Sequence, residues 1–336
     1  MAERSAISGG HATTGQARIL KADRASAIDT AVAALRAGDL VVMPTETVYG
    51  LAADAANPQA VAAIFLAKGR PHFNPLIVHV ASVALAREIG VFTPDAELLA
   101  ETFWPGPLTL VLKKQPGAPV AELALAGLST VAIRVPAHPV ARALLAAFGG
   151  PVSAPSANRS GRVSPTTAAH VAADMGEAVS VILDGGPSAI GLESTIVGLD
   201  GPAPTLLRAG GVTRVALEAV LGKPLAAAAF DPAAPIAPGM LASHYAPAAS
   251  VRLDATSVAP GEALLAFGPA TLPGADKAAA TVNLSPSGDL GEAATRFFAA
   301  LRELDGRAKT IAVMSIPNEG LGEAINDRLR RAAVPR

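Results

Sequence analysis

The chain of 336 residues contains no cysteine. This absence excludes disulfides, thiolate nucleophiles, iron–sulfur clusters and cysteine-ligated zinc, and it fits a reducing cytoplasm. Aromatic residues make up only 4% of the chain, so we expect alanine, valine and leucine to fill the core. Charged residues are also scarce, at 16% against 51% hydrophobic residues, which excludes wholesale disorder.

No strong charge of either sign and no long apolar run is present. The 27 basic and 28 acidic residues give a net charge of −1, whereas proteins that hold nucleic acid by charge alone are usually basic. The first 16 residues have no apolar run of the kind a signal peptide needs, and we expect them to form a disordered tail. The uncharged stretch 232–251 contains four prolines and is excluded as a membrane helix. We expect a cytoplasmic protein with no membrane contact.

Short apolar runs alternate with helical patterns along the first 210 residues. Asn57 followed by Pro58 predicts a capped helix that runs to about Lys68, and Ser26 to Asp29 resembles a capping box. Because some strands follow one another directly and others follow a helix, the pattern predicts an α/β fold with parallel and antiparallel strands. The predicted strands are 40–44, 75–80, 108–114, 129–135, 180–184, 194–199 and 204–208.

The composition changes after Gly211, where residues 222–250 become rich in proline and alanine and resemble an extended linker. Strands at 263–267, 281–285 and 310–316, with helices at 289–304 and 319–333, then predict a compact α/β unit of three or four strands. We therefore divide the chain into 18–215, a linker at 216–250 and a second domain at 251–336. Because the linker is too apolar for a solvent tether, we expect it to lie across a ligand cleft as a lid.

The common nucleotide and hydrolase motifs are missing: neither a P-loop, a dinucleotide-binding glycine loop nor a nucleophile elbow occurs. Instead, polar residues follow the ends of strands, where open α/β sheets bind their ligands. The first cluster is PTETVYGL at 44–51, and the second is KGRPHFNPLIVHV at 68–80. In the second, Lys68 and Arg70 end a helix, so they are either helix-dipole partners or a clamp for phosphate.

Further clusters are STVAIRVP at 129–136, SAPSANRSGRVSPT at 153–166, GLESTIVGL at 191–199 and TLLRAGG at 205–211. Arg134 lies within an otherwise apolar strand, where a cation needs an anionic partner. That partner is either a buried acidic side chain or the carboxylate of a ligand. Thr130 shares its face of the strand but lies about 13 Å from it, at ~3.3 Å per residue.

In this order, the six motifs resemble the threonylcarbamoyl-AMP synthase family, with KGRP and SAN similar to its Lys-x-Arg…Ser-x-Asn signature. PGMLASHYAP at 238–247 and the small α/β unit are similar to the longer, two-domain form of the family. The resemblance implies a YrdC-type twisted mixed sheet with flanking helices, followed by a small Rossmann-like domain.

The resemblance also implies an enzyme, a nucleotidyltransferase. It would convert L-threonine, bicarbonate and ATP to L-threonylcarbamoyl-AMP and pyrophosphate, for the threonylcarbamoyladenosine modification of tRNA next to the anticodon. Its partners would be downstream tRNA threonylcarbamoyl-transfer proteins, with a weak RNA contact left open. Mg²⁺ would arrive with ATP rather than on protein side chains, and no organic cofactor is implied.

The residues that match the family fall into three groups. The resemblance implies a threonine pocket of Thr47, His79, Arg134, Ala154 and Ser194. It implies ATP binding by Lys68, Arg70, Asn74, Thr130, Ser156, Asn158, Ser164, Arg208 and Tyr245. The catalytic residues would be Lys68, Arg70, Ser156 and Asn158.

Two other functions are considered. A YrdC-type domain resembles proposed double-stranded RNA-binding surfaces, so an RNA-binding module without catalysis is the main alternative. The net charge of −1 weighs against it. A hydrogenase-maturation carbamoyl transferase carries a similar domain, but such proteins are longer and contain cysteine-rich zinc fingers, which the absence of cysteine disfavours.

Overall fold

The computed structural model describes residues 17–228, 236–238 and 243–334. Within these ranges, the strands of the larger sheet are β1 (Arg18–Lys21), β2 (Val41–Met43), β3 (Gly50–Asp54), β4 (Ile77–His79), β5 (Leu108–Lys113), β6 (Thr130–Arg134), β7 (Val152–Ser153), β8 (Val181–Asp184), β9 (Thr195–Gly198), β10 (Thr205–Arg208) and β11 (Ala226–Ala227). The smaller sheet has β12 (Ser250–Arg252), β13 (Ala263–Ala266), β14 (Ala280–Asn283) and β15 (Thr310–Val313). The α-helices are α1 (Ala25–Arg36), α2 (Pro58–Lys68), α3 (Val83–Ile89), α4 (Pro94–Phe103), α5 (Glu122–Leu125), α6 (Pro139–Phe148), α7 (Ala168–Met175), α8 (Arg214–Leu221), α9 (Leu290–Leu304) and α10 (Leu321–Ala333).

The larger sheet mixes strand directions, as the sequence predicts. Its order is β1-β8-β2-β3-β7-β4-β6-β5-β9-β10-β11. β4 and β6 pair in parallel, and so do β5 and β9, whereas β5 and β6 pair antiparallel. The parallel pairing aligns His79 with Arg134, so two side chains predicted to bind a ligand leave neighbouring strands at the same level.

The smaller sheet has the order β12-β15-β13-β14, and all of its strand pairs are parallel. The predicted α/β unit of three or four strands is therefore present with four, and β12 is the strand that the sequence did not predict. α9 buries a row of apolar residues that includes Phe297 and Phe298 against it. The hydrophobic core of this unit also contains Val48, Val163 and Tyr245. Its core is thus continuous with loops that carry predicted site residues.

Helix signals in the sequence are confirmed at one place and wrong at another. The Asn57 side chain accepts hydrogen bonds from the backbone amides of Gln59 and Ala60, with Pro58 as the first helical residue. The capping box predicted at Ser26 is wrong, because α1 begins at Ala25 and its N-cap, Arg24, makes no side-chain cap. Ser26 lies inside the first turn, where its carbonyl accepts a hydrogen bond from Thr30.

The segment predicted as a linker, 216–250, begins inside helix α8 and then adds a strand to the larger sheet. Ala226 and Ala227 form β11, which pairs in parallel with β10 at the edge. The predicted N-terminal tail at 1–16 and the linker segments 229–235 and 239–242 lie outside the described residues. Among the described helices, none has the length and apolar character needed to cross a membrane.

Candidate active site

Loops from both halves of the chain line a partly open cavity of about 50 Å³ beside β4 and β6. This volume holds a few water molecules. Nine predicted site residues line it: Thr47, Arg70, His79, Arg134, Ala154, Ser156, Ser194, Arg208 and Tyr245. The other lining residues are Thr45, Val48, Gly50, Ile77, Pro155, Glu193, Pro238 and His244.

Five predicted residues lie outside the lining. Four of them are buried directly behind it: Lys68, Asn74, Asn158 and Ser164. Lys68 donates to the carbonyl of Ser156, Asn74 accepts from Arg70 through its carbonyl, and Ser164 donates to Glu193. Asn158 is two residues after Ser156. Thr130 is different, because it lies at the start of β6, opposite Lys113, while Arg134 is at the other end of the strand. The structure therefore brings the predicted residues together, except Thr130.

Arg134 has an acidic partner within the chain. One of its terminal nitrogens donates to Glu46 Oε1 at 2.5 Å, and the other donates to Thr47 Oγ1 at 2.8 Å. Burial opposes ionisation of the Glu46 carboxyl, but the guanidinium and backbone amides outweigh it and hold the pKa of Glu46 below its usual range. Of the two partners that the sequence left open for Arg134, the structure shows the buried acidic side chain.

Among the described residues, Lys68 has only backbone carbonyls as hydrogen-bond partners. Its Nζ donates to the backbone carbonyls of Ser156 at 2.5 Å and of Asn158. Burial, reinforced by the nearby charge of Arg70, lowers the pKa of Lys68 well below its usual value. The lysine at the end of α2 therefore points into the loop after β7 rather than outward along the helix axis.

Arg70 and Arg208 follow the same pattern. Arg70 donates to the carbonyls of Asn74 at 3.1 Å and of Pro75 at 2.8 Å. Arg208 donates to the carbonyl of Ser194 at 2.9 Å and to its hydroxyl at 3.2 Å. Burial, with a contribution from the charge of Arg208, lowers the pKa of Arg70 to about 9. We refer to Lys68, Arg70 and Arg208 as the cationic cluster.

None of the three cations forms an ion pair with a carboxylate in the part of the chain that the structure describes. All three are at least nine-tenths buried. Because a buried cation without a counter-charge is costly, such a cluster is the expected design of a site for an anion.

Neutral polar atoms around the cavity also lack partners. Both amide atoms of Asn74, which is fully buried, have no hydrogen bond within the described residues, and neither does Nδ1 of His79. Burial and the nearby Arg134 lower the pKa of His79 to about 3, so its imidazole is neutral at physiological pH. Buried polar atoms are normally satisfied, so these groups indicate a ligand-binding site.

One wall of the cavity comes from the segment between the two sheets. Pro238, His244 and Tyr245 line it, and the carbonyl of Pro238 accepts from Arg208 at 3.3 Å. Tyr245 has a φ of 61°, a left-handed conformation that is unusual for a bulky residue. Its ring contacts those of His244 at 4.0 Å and Phe298 at 5.7 Å between centroids. Tertiary contacts therefore hold a strained residue in the wall.

Comparison with known proteins identifies the family of the chain. Residues 33–210 match the Sua5_yciO_yrdC family model, described as "Telomere recombination". Residues 212–334 match the model of the threonylcarbamoyl-AMP synthase C-terminal domain. The threonylcarbamoyl-AMP synthase of Bacillus subtilis is 41% identical over 322 residues, which cover 91% of this chain and 92% of the relative.

This chain belongs to the threonylcarbamoyl-AMP synthase family. The Pyrococcus abyssi synthase is 40% identical over 89% of this chain and 92% of its own. The crystal structure of P. abyssi Sua5 complexed with L-threonine has a TM-score of 0.82 to this structure at 38% identity, covering 91% of this chain and 94% of that one. The family and the fold predicted from the motifs are both confirmed.

Sequence reasoning gave no role to two acidic residues of this synthase-family chain, Glu193 in the cavity lining and Glu46 beside it. Glu46 fixes Arg134, and Glu193 accepts from the Ser164 hydroxyl at 2.6 Å. Glu46 carried a usable signal, because an acid next to Thr47 was available to satisfy an arginine in an apolar strand. Glu193 carried none, since its second partner, Arg328, is 135 residues away in sequence.

Proposed function

We propose that this chain condenses L-threonine, bicarbonate and ATP to L-threonylcarbamoyl-AMP and pyrophosphate. The observation that carries the proposal is the cationic cluster, which is buried at the cavity and has no carboxylate partner in the described part of the chain. A triphosphate supplies the charge that these side chains lack. The match to synthase relatives over nine-tenths of the chain supports the same reaction.

Arg134 is suited to bind the carboxylate of threonine. Its Nε donates to the carbonyl of Gly106, and each terminal nitrogen donates once, to Thr47 and to Glu46. A guanidinium has five N–H groups, so two remain for a ligand carboxylate. Because Glu46 is held in turn by the backbone amides of Ala137 and His138, the fork of Arg134 is fixed before substrate arrives.

The rest of the threonine pocket is polar and close to Arg134. His79 offers a neutral imidazole with an unpartnered Nδ1, which we propose accepts a hydrogen bond from the substrate. Ala154 and Ser194 supply the remaining walls, with Thr47 beside the guanidinium. A polar pocket rejects an analogue that lacks the hydroxyl more strongly than an apolar pocket rejects an added methylene. We therefore expect valine to be a poor substrate.

ATP would be held chiefly by the cationic cluster. Asn74, Ser156, Asn158 and Ser164 surround the cluster with amide and hydroxyl groups, and Tyr245 would cover the nucleotide. We keep Thr130 as a predicted ATP contact on the resemblance alone, because it is outside the cavity. Lys68, Arg70, Ser156 and Asn158 remain the proposed catalytic residues.

Two steps account for the atoms. The threonine amine and bicarbonate form a carbamate with loss of water, and a carbamate oxygen then attacks the α-phosphorus of ATP as the bond to pyrophosphate breaks. Neither step needs a nucleophile from the protein. Positioning and stabilisation of negative charge therefore dominate, and the cationic cluster supplies both.

Mg²⁺ would enter with the triphosphate and neutralise charge on the leaving pyrophosphate. Glu193 in the cavity lining and Glu46 beside it are already bonded to arginines, and the described residues contain no cluster of acidic or histidine side chains for a metal. The phosphate oxygens are therefore the ligands that fit a metal here.

The cavity of about 50 Å³ is smaller than a nucleotide, so ATP would extend through its open side or displace a wall. We propose that the segment carrying Pro238, His244 and Tyr245 is the lid that moves, and that it returns to exclude water from the mixed anhydride. The division of the chain at 18–215, 216–250 and 251–336 goes with this proposal.

The product would pass to proteins that transfer its threonylcarbamoyl group to tRNA, and we place the reaction in the cytoplasm. An RNA-binding module without catalysis is not favoured, since the relatives that match nearly the whole chain are named synthases. The net charge of −1 also gives RNA little general attraction.

The test is pyrophosphate release from ATP by the full chain, with threonine and bicarbonate added singly and together. We expect release only when both are present, with an adenylate of the mass of threonylcarbamoyl-AMP. Equal release with threonine omitted would contradict the proposal. Serine and valine at the same concentration are matched controls, and both should react more slowly than threonine.

A further inference from the structure

Arg328 is a charged residue of α10 whose side chain is fully buried. It lies in the small α/β unit, yet its side chain is 0% exposed and reaches the loops of the larger one. Its terminal nitrogen Nη1 donates to the carbonyl of Ala209, and its Nε donates to Glu193 Oε2 at 3.1 Å. A guanidinium buried this deeply persists only where its partners compensate the desolvation.

Glu193 connects this arginine to the cavity. It is 5% exposed and lines the cavity wall, and its other oxygen accepts from the Ser164 hydroxyl at 2.6 Å. A buried carboxylate in the wall of a site for a triphosphate would repel the ligand unless a cation neutralises it. Arg328 is the arginine that forms an ion pair with Glu193 within the described residues.

The same guanidinium also contacts the wall residue Tyr245. Its central carbon lies 5.4 Å from the centroid of the Tyr245 ring, within the range of a cation–π contact. Phe298 of α9 packs against the same ring. Both long helices of the small unit therefore hold a residue whose backbone is in the left-handed region.

We propose that Arg328 is a positioning residue for nucleotide binding: it neutralises Glu193 in the cavity wall, keeps the Ser164 hydroxyl bonded to that carboxylate, and holds the ring of Tyr245. The C-terminal unit thereby completes the ATP site with one side chain that touches no substrate. The inference rests on the proposed function, since it assumes that ATP binds beside the cationic cluster.

The proposal predicts opposite changes in ATP affinity for the two single variants, whereas a purely structural ion pair does not. Arg328→Met leaves Glu193 as an unpaired anion near the triphosphate, so ATP binding weakens. Glu193→Gln removes the negative charge from the cavity wall and leaves Arg328 with Asp327, 3.3 Å away on its own helix, as its remaining acidic partner, so ATP binding strengthens. With both changes, neither charge remains and ATP binding returns toward that of the wild type. A structural pair predicts instead that each single change is harmful or neutral.

The experiment measures Kd for ATP and, separately, for L-threonine by calorimetry on the full chain, without bicarbonate. We expect Arg328→Met to weaken ATP binding about tenfold and threonine binding less than threefold. The double variant Arg328→Met/Glu193→Gln should bind ATP within threefold of the wild type. Arg214→Met is the matched control. It removes an ion pair to Glu323, which lies on α10 like Arg328, and neither Arg214 nor Glu323 lines the cavity.

An ATP Kd for folded Arg328→Met within threefold of the wild type would overturn the inference. If that variant does not fold, Glu193→Gln decides: ATP binding at least threefold tighter supports the inference, and unchanged or weaker binding overturns it. Failure of the proposed function is distinguishable, since the wild-type chain would then bind no ATP or release no pyrophosphate with threonine and bicarbonate.

Discussion

Arg134 and the cationic cluster line or flank one cavity, but the chain treats their charges differently. Arg134 is paired with Glu46 at 2.5 Å, whereas Lys68, Arg70 and Arg208 have carbonyl and hydroxyl partners. A carboxylate that fixes an arginine adds rigidity while sparing two of its N–H groups. A carboxylate beside the cluster would cancel the charge that a triphosphate needs. The difference teaches that one part of the site is preorganised and the other keeps its charge for the ligand.

The largest expected effect is on folding, at the paired arginine. Arg134→Met leaves Glu46 buried without its cation, and removing one partner of a buried ion pair costs about 3–5 kcal/mol. We expect the free energy of unfolding in urea to fall by that amount. Arg87→Met, which breaks the exposed pair with Glu97, is the matched control and should leave it nearly unchanged. Equal stability of the two variants would show that the pairing of Arg134 carries no weight.

Replacing a member of the cationic cluster should have the opposite profile. Lys68→Met or Arg70→Met removes a charge-assisted bond to phosphate worth about 1.5–3 kcal/mol, or about 10–100-fold in kcat/KM for ATP. The free energy of unfolding should fall far less than in Arg134→Met, because loss of an uncompensated buried charge offsets the lost hydrogen bonds. Threonine-dependent pyrophosphate release and urea unfolding measure the two quantities. Unchanged kinetics would mean that these cations only end a helix.

A smaller loss of folding stability is expected at acidic pH, through His79 beside Arg134. His79 has a folded-state pKa of about 3 against an ordinary 6.5, so its contribution to stability is complete above pH 6.5 and is lost as the pH falls toward 3. At pH 5, the loss is about 2 kcal/mol, from 1.36 kcal/mol per pKa unit. Urea unfolding at pH 7 and pH 5 measures it.

The His79→Gln variant is the control for this pH dependence, because it cannot take up the proton. It should lose about 2 kcal/mol less than the wild type between pH 7 and pH 5. The pKa of Glu46 is also held low, so a further loss common to both proteins is expected below pH 4.5. Identical losses in both proteins at pH 5 would show that His79 is not the buried neutral group described here.

Local signals in the sequence predicted the elements well. The cap at Asn57, the strand that contains Arg134 and three of the four strands of the small unit depend on neighbouring residues, so the sequence shows them directly. The exact start of a helix is less clear from the sequence. Ser26 fits a capping box, but the helix begins one residue earlier.

Pairings across the fold are what the sequence does not reveal. β11 looks like linker because its two alanines become a strand only against β10. Thirteen of the fourteen residues predicted from the motifs lie in the cavity lining or directly behind it. The motifs did not show that Glu46 forms an ion pair with Arg134 or that Arg328 forms one with Glu193. Those ion pairs depend on sheet order and on the packing of α10, which composition and spacing do not specify.

The most direct test of the unpaired cluster compares ligands that differ only in phosphate. Unfolding of the wild type and of Arg70→Met is followed by heat with ATP, AMP or adenosine at equal concentration, since a ligand stabilises the folded state in proportion to the logarithm of its affinity. We predict that ATP stabilises the wild type far more than AMP, that adenosine does so least, and that Arg70→Met loses most of this difference. Equal stabilisation of the wild type by ATP and adenosine would contradict the account.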